Sequence, residues 1–98
     1  MKKEYKVRRD FVYDRLVAMG FDVVKPGGAF YIFPSIRKTN MTSFDFCLSL
    51  LKEQEVATVP GTAFSEFGEG YIRLSFAQPL EVLKEGMDRL EKFMEKFQ

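Results

Sequence analysis

The amino-acid sequence predicts an α+β fold: a small, mainly antiparallel sheet of about four strands, with three helices packed on one face. Two observations support this fold class. Three segments carry apolar residues at helical spacing, and four short β-prone runs lie among them, bounded by turn residues. With 98 residues and no repeat or linker, the chain is expected to be a single domain spanning residues 1–98.

The first helix is predicted over residues 3–19. Its apolar stripe consists of Tyr5, Val12, Leu16 and Met19, with Phe11 at the edge. Gly20 follows directly and is placed to end the helix, since glycine adopts the left-handed conformation that terminates many helices.

A β-hairpin is predicted next. Residues 21–24 form a short β-prone run, and residues 25–28, Lys-Pro-Gly-Gly, have strong turn chemistry. Residues 29–33 form a second, aromatic run that ends at Pro34. Two apolar runs on either side of such a turn indicate antiparallel strands.

The second helix can be capped by Thr42 or Ser43. Its buried stripe is expected to contain Phe44, Cys47, Leu48 and Leu51, widened by Phe46 and Leu50. Cys47 lies on this stripe and the chain contains no histidine base. We therefore interpret Cys47 as a small core side chain rather than a nucleophile.

The last two strands are predicted at residues 56–59 and 71–76, and a loop with three glycines separates them. In the final strand, a core face of Ile72, Leu74 and Phe76 alternates with an outer face of Tyr71, Arg73 and Ser75. If the helices cover the core face, no predicted element of the chain covers the outer face. This outer face is the first indication that the chain is not a whole protein.

The third helix is predicted to open at Pro79, a residue favoured in the first turn. Its stripe, spaced by four, three, four and three residues, contains Leu83, Met87, Leu90, Met94 and Phe97. Gly86 lies inside this helix, where glycine costs about 1 kcal/mol against alanine. We expect it to allow close packing.

Composition excludes several kinds of chemistry. There is no His, so histidine bases, His-bound metals and Ser–His or Cys–His pairs are excluded within the chain, and a single Cys excludes an internal disulfide and a cysteine zinc site. No apolar stretch approaches the roughly 20 residues of a membrane span. The basic N-terminus lacks the apolar region of a signal peptide, so the expected compartment is the cytoplasm.

Basic residues concentrate at one end of the chain. Residues 1–40 hold nine Lys/Arg against four Asp/Glu, and residues 41–98 hold six against ten. This distribution is compatible with nucleic-acid binding. Glu4, Asp10 and Asp14 are interleaved with the basic residues, however, and this pattern favours a solvated helix face with side-chain ion pairs.

Two further features allow alternative interpretations. The glycine loop does not match a phosphate-binding loop, because a strand follows it instead of a helix N-terminus, and no Gly-Lys-Ser/Thr occurs. Arg73 lies mid-strand on the outer face. It is either a surface arginine or a clamp for a carboxylate or phosphate, which the planar guanidinium binds through two parallel hydrogen bonds.

Four segments together resemble a known family. Residues 59–64 (Val-Pro-Gly-Thr-Ala-Phe) and 68–77 (Gly-Glu-Gly-Tyr-Ile-Arg-Leu-Ser-Phe-Ala) closely resemble the C-terminal region of class I/II aminotransferases, the fold-type I enzymes that use pyridoxal phosphate. Residues 5–10 resemble that family's Tyr-x-x-Arg-Arg-Asp helix start, and residues 26–31 its Pro-x-Gly-Ala-Phe-Tyr strand. The order and spacing match over all 98 residues, as in members acting on aromatic amino acids, aspartate or diaminopimelate precursors.

The resemblance implies roles for two residues. Arg73 matches the arginine that binds the α-carboxylate of the amino-acid or 2-oxo-acid substrate, and Phe30 falls near a substrate-side aromatic position. It also implies that the chain is the C-terminal small domain, that this domain moves over the active site when substrate binds, and that the parent enzyme is a homodimer. A large domain would then cover the outer sheet face.

The chain departs from the family where the cofactor chemistry lies. Nothing in it resembles the lysine that forms the Schiff base, nor the groups that hold the pyridine ring and phosphate. Ser35 and Lys38 have a Ser-x-x-Lys spacing, but they follow the aromatic strand and are not interpreted as a catalytic site. The isolated chain is therefore not expected to bind pyridoxal phosphate or to catalyse transamination, and we assign it no catalytic residue.

A free-standing RNA- or ligand-binding module is the alternative. Aromatic residues on one strand, Phe30, Tyr31 and Phe33, are compatible with a stacking platform. The basic cluster lies on the first helix instead of a strand, however, and no Lys/Arg-Gly-Phe signature occurs. Salt-dependent binding of single-stranded RNA would support this alternative, and no binding at low salt would exclude it.

Overall fold

The computed structural model describes residues 2–27 and 29–97. It contains three α-helices, Lys2–Ala18 (α1), Ser43–Gln54 (α2) and Leu80–Met94 (α3), as predicted. Short 3-10 turns occupy Arg37–Thr39, Gly61–Ala63 and Glu95–Phe97. Within the described ranges, no helix is both long and apolar enough to cross a membrane.

The sheet has three strands, fewer than predicted: Tyr31–Ile32 (β1), Val59–Pro60 (β2) and Ile72–Ser75 (β3). Their order is β1-β3-β2, and both pairings are antiparallel. The α+β class with a small antiparallel sheet is confirmed. The central position of β3 places its residues between two neighbours, so a side chain on this strand has the best-defined position in the sheet.

The predicted strand at residues 21–24 is the one that does not form. Asp22 makes a single bridge to Ser35, and the Ser35 amide donates to the Asp22 carbonyl at 2.9 Å. The partner of this segment thus lies beyond Pro34, and no ladder forms with residues 29–33. Only part of the apolar run packs on the core: Phe21 is buried, whereas Val24 is 84% exposed. Gly28 of the predicted turn lies outside the described residues.

The core lies between the inner face of the sheet and the helices. Helix α3 contacts both α1 and α2. The predicted inner residues of β3 and its extension, Ile72, Leu74 and Phe76, are buried, as are Val12, Leu16 and Met19 of the α1 stripe. Helix α1 ends at Gly20 (φ +91°), and the Phe21 amide donates to the Leu16 carbonyl at 3.0 Å. The predicted stop is therefore confirmed as a left-handed glycine cap.

Helix α2 buries only part of its predicted stripe. Its buried residues are Ser43, Phe46, Cys47 and Leu50, whereas Phe44, Leu48 and Leu51 are exposed. Phe46 packs edge-on against Phe93 of α3, with ring centroids 5.2 Å apart. This aromatic contact selects the buried face, because both stripes have helical spacing. Cys47 is a core residue as predicted, and burial raises the pKa of its thiol.

Helix α3 confirms most of its predicted stripe. Leu83, Met87, Leu90 and Met94 are buried, and Phe97 packs at the edge of the core. The expectation for Gly86 is wrong. A Cβ added at Gly86 would meet no atom within 4 Å, so no close packing depends on this glycine.

Candidate functional site

The candidate site lies on the outer face of the sheet, away from the helices. In the register of β1 and β3, Tyr31 lies opposite Ser75 and Ile32 opposite Leu74. Tyr31 is thus a diagonal neighbour of Arg73 on the outer face, at a spacing that long and aromatic side chains can bridge. On the other side of β3, Val59 of β2 lies directly opposite Arg73.

The guanidinium of Arg73 is held by two aromatic rings. Its Cζ lies 4.1 Å from the ring centroid of Tyr31 and 4.1 Å from that of Phe64. Stacking on aromatic faces suits this weakly hydrated, planar cation. Arg73 makes no ion pair and no side-chain hydrogen bond to any residue that the structure describes. Its N–H donors are therefore unpaired within the described chain and lie on a positively charged, partly buried group, as an anion site requires.

Phe64 reaches Arg73 because the glycine loop folds back on itself. The Gly61 amide donates to the Tyr71 carbonyl at 2.8 Å, and the Tyr71 amide donates to the Gly68 carbonyl at 3.1 Å. A Cβ built on Gly61 would overlap the Gly68 carbonyl, and one on Gly68 would overlap Gly61. The two glycines thus serve a close backbone approach, and the loop positions an aromatic side chain.

Glu69 fixes the same loop to the start of α2. Its carboxylate accepts hydrogen bonds from the amides of Ser43 and Gly70, both at 2.8 Å, and from the Ser43 hydroxyl at 3.3 Å. The Ser43 and Gly70 amides hold the pKa of the Glu69 carboxyl below its usual range, because they stabilise its ionised form. A negative charge in the first turn of a helix also interacts favourably with the helix dipole.

Apolar surface surrounds the stacked arginine. Phe33 packs edge-on against Phe64, with centroids 6.2 Å apart. An open cleft of about 240 Å³ next to Phe64 is lined mainly by Phe33, Phe67 and Tyr71. A second cleft, of about 570 Å³, lies between β1 and the segments 22–27 and 29. Apolar side chains therefore adjoin the two rings that stack on Arg73.

The structure does not bring Phe30 together with Arg73. The Phe30 ring packs against Tyr5 and Phe76 at centroid distances of 5.1 and 5.6 Å, on the side of the sheet that faces α1. Phe30 remains 40% exposed, so its predicted contact with substrate stays a prediction. The sequence reasoning missed Tyr31 and Phe64. Strand alternation was the available signal for Tyr31, because it places residue 31 on the face opposite to residue 30.

Three arginines of α1 make contacts within the chain. Arg9 pairs with Asp10 at 3.1 Å, Arg8 donates to the Ala77 carbonyl at 3.3 Å, and Arg15 pairs with Asp88 of α3 at 2.9 Å. These contacts agree with a solvated helix face. The arginines of α1 are thus engaged within the chain, and this helix gives the RNA-platform alternative no support.

Comparison with known proteins decides the family. A sequence model described as aminotransferase class I and II matches residues 1–90. The chain belongs to this aminotransferase family. Among the relatives, the probable N-acetyl-LL-diaminopimelate aminotransferase of Bacillus subtilis is 63% identical over 94 residues, covering 96% of the chain. The aromatic-amino-acid aminotransferase 2 of Thermococcus litoralis is 50% identical over a similar span.

Solved aminotransferases have the same fold. The crystal structure of the aromatic aminotransferase from Pyrococcus horikoshii is 52% identical, with a TM-score of 0.95 over 98% of this chain. The match covers 26% of that protein, and the chain spans about a quarter of the length of the curated relatives it matches. The resemblance inferred from the sequence motifs is therefore confirmed.

The aminotransferase family implies pyridoxal phosphate, and the residues described here do not fit it. The Lys38 ammonium, in the Ser-x-x-Lys spacing, donates to the Met19 carbonyl at 2.7 Å and lies over the Phe21 ring. It thus caps α1. In the glycine loop, Gly61 and Gly68 fill each other's space and leave no cradle for a phosphate. Neither Lys38 nor the glycine loop is therefore arranged to hold the cofactor.

Proposed function

We propose that this chain is the C-terminal small domain of a pyridoxal-phosphate-dependent aminotransferase, and that Arg73 binds the α-carboxylate of its amino-acid and 2-oxo-acid substrates. One observation carries the assignment. The Arg73 guanidinium is stacked on two rings on the sheet face opposite the core, and no carboxylate within the described residues pairs with it. The match of Arg73 to the family's Arg-Leu-Ser motif supports the same role.

Arg73 acts by holding and orienting the substrate. Pyridoxal phosphate, held by the rest of the enzyme, supplies the electron sink for amino transfer. Two parallel N–H groups of Arg73 donate hydrogen bonds to the two carboxylate oxygens in a fixed plane, which sets the direction of the adjacent amino group. The surrounding rings keep water from the ion pair, and closure of the small domain over the substrate completes this exclusion.

The remaining parts of the parent enzyme are also proposals. We assign to it a large domain that holds the cofactor and covers the exposed apolar residues of the outer sheet face, a homodimeric assembly, no nucleic-acid or membrane partner, and a cytoplasmic location suited to a free thiol. Phe30 is kept as a candidate contact to the substrate. Relatives are named for aspartate, aromatic and diaminopimelate substrates, so the side-chain preference is left open apart from a possible aromatic one.

The test of the Arg73 assignment is Arg73→Lys in the aminotransferase that contains this chain. Lysine keeps the charge but loses the two-pronged geometry. We expect kcat/KM for amino acids to fall about 10- to 100-fold, the effect of losing a charge-assisted hydrogen bond. Steady-state kinetics give this value, and the cofactor's absorption spectrum reports whether its binding is unchanged.

An amine substrate without a carboxylate is the control for this experiment. Its kcat/KM should be the same in the parent enzyme and in Arg73→Lys. An equal loss for the amine and the amino acid would refute the carboxylate role. The coding DNA upstream of Met1 tests the small-domain assignment separately: we expect an in-frame extension that contains a Ser-x-x-Lys cofactor site.

A further inference from the structure

Each of the two rings on Arg73 is held by a different part of the fold. Tyr31 comes from the edge strand β1, where it lies opposite Ser75. Phe64 comes from the loop that follows β2, and its amide donates to the Gly61 carbonyl at 3.0 Å. No aromatic contact joins Tyr31 and Phe64 to each other within the described part of the chain. The rings therefore contact the guanidinium from separate sides and leave its N–H edge for a ligand.

Other arginines of the chain have a different environment. Arg89 pairs with Glu85 at 2.8 Å, and Arg15 pairs with Asp88. Arg37 lies over a single ring, that of Tyr71, at 5.1 Å. Within the described residues, Arg73 combines two ring contacts with the absence of any acidic partner. An acidic partner would compete with a substrate carboxylate, whereas a ring stabilises the cation without occupying its donors.

We infer that Tyr31 and Phe64 are positioning residues for the carboxylate site: they fix the plane of the Arg73 guanidinium before substrate arrives. The inference rests on the proposed function of Arg73 and extends it to two residues that do not themselves bind the carboxylate. A free arginine side chain loses considerable rotational freedom when it binds. If the rings restrict that freedom in advance, substrate binding costs less ordering.

The first experiment measures the positioning directly in this chain. Rotation about the Nε–Cζ bond of Arg73, followed by nitrogen NMR as exchange between the two Nη atoms, is expected to be slow. In Phe64→Leu and in Tyr31→Leu it should become at least roughly threefold faster, because each variant removes one cation–π contact. Phe67→Leu is the matched control, since Phe67 lies in the same loop, is 84% exposed and makes no contact with Arg73.

The second experiment uses the aminotransferase that contains the chain. Phe64→Leu and Tyr31→Leu should raise KM for the amino acid roughly three- to tenfold, the range expected for ordering one long side chain. Most of the change should be in KM rather than kcat, because the carboxylate contact is made in both the ground and transition states. Phe64→Tyr and Tyr31→Phe keep a ring and should restore the parental KM.

The outcomes separate this inference from the proposed function. Wild-type Arg73 that rotates as fast as free arginine would overturn the positioning role, and this measurement requires no variant to fold. Unchanged rotation and KM in both folded leucine variants would overturn it as well. If Arg73→Lys leaves kcat/KM unchanged, the carboxylate assignment fails, while the rotation rates still decide whether the rings hold the guanidinium.

Discussion

At the scale of single residues, the environment of a charge distinguishes function from surface chemistry. Arg9, Arg15 and Arg89 are partly exposed helix residues that pair with carboxylates at 2.8–3.1 Å. Surface pairs of this kind contribute between zero and about 1 kcal/mol. Arg73 has rings in place of carboxylates, and its charge is left for a ligand. Strand alternation alone placed Arg73 on the outer face, but it could not separate these two situations.

Gly86 provides a prediction at the same scale. Gly86→Ala should stabilise the chain by about 0.5–1 kcal/mol, because alanine restricts the unfolded chain and its Cβ would meet open space inside α3. For a domain of this size the melting temperature should rise by about 2–8 °C. Thermal unfolding followed by circular dichroism measures it.

The matched control for this substitution is Gly61→Ala. The added Cβ would overlap the Gly68 carbonyl, so this variant should lose stability. A loss of stability in Gly86→Ala as well would mean that the helix needs glycine there after all. The sequence could not separate these two glycines, because whether a Cβ has space depends on which backbone folds against it.

At the scale of elements, helical spacing predicted where α1, α2 and α3 lie, and these helices form as expected. The buried face of α2 was predicted only in part. Phe46, Cys47 and Leu50 are buried as predicted, but Phe44, Leu48 and Leu51 have the same helical periodicity and are exposed. Periodicity gives the repeat of a stripe, but when a helix carries two apolar stripes, the neighbouring element selects one. Here the ring of Phe93 on α3 does so. The strand predicted at residues 21–24 does not form for a similar reason, because a tertiary contact pairs Asp22 with Ser35.

The hydrogen bonds between Glu69 of the glycine loop and Ser43 of α2 lead to a prediction about the pH dependence of stability. In the folded state, the amides of Ser43 and Gly70 lower the pKa of Glu69 below its ordinary value of 4.5. Between these two pKa values, the unfolded state therefore binds more protons than the folded state. The stabilising contribution is complete above pH 4.5 and is lost as the pH falls through the lower, folded-state value. Wild-type should therefore exceed Glu69→Gln in stability at neutral pH, and the difference should vanish on acidification. Urea unfolding at pH 7 and at steps down to pH 3 measures it.

Glu66→Gln is the control for this series. Glu66 is exposed on the same loop, makes no side-chain hydrogen bond to a described residue, and its substitution changes the net charge equally. It should leave the pH dependence of unfolding as in wild-type. A stability difference between wild-type and Glu69→Gln that stays constant from pH 7 to pH 3 would contradict the role of the Glu69 carboxylate.

At the scale of the whole molecule, the proposed function assigns substrate recognition to this chain and cofactor chemistry to the rest of the parent enzyme. The fold class and the position of Arg73 follow from patterns inside the chain, whereas the covering of the outer face depends on contacts outside it. The exposed rings of Tyr31, Phe33, Phe64 and Phe67 lie on or beside this face. Under the proposed function, Arg73 binds one end of the substrate, and the amino group at which the reaction occurs must meet groups contributed from elsewhere.

This separation predicts the behaviour of the isolated chain. With added pyridoxal phosphate, an amino acid and a 2-oxo acid, the chain should transfer amino groups no faster than pyridoxal phosphate alone. Its Ser-x-x-Lys lysine, Lys38, is committed to the Met19 carbonyl at the end of α1. Appearance of the product amino acid, measured by chromatography, gives the rate.

Lys38→Arg is the matched variant, because it keeps a cation at the helix end and removes the amine. A rate above the background that disappears in Lys38→Arg would mean that this chain holds a catalytic lysine of its own, and the division between the two parts of the enzyme would be wrong.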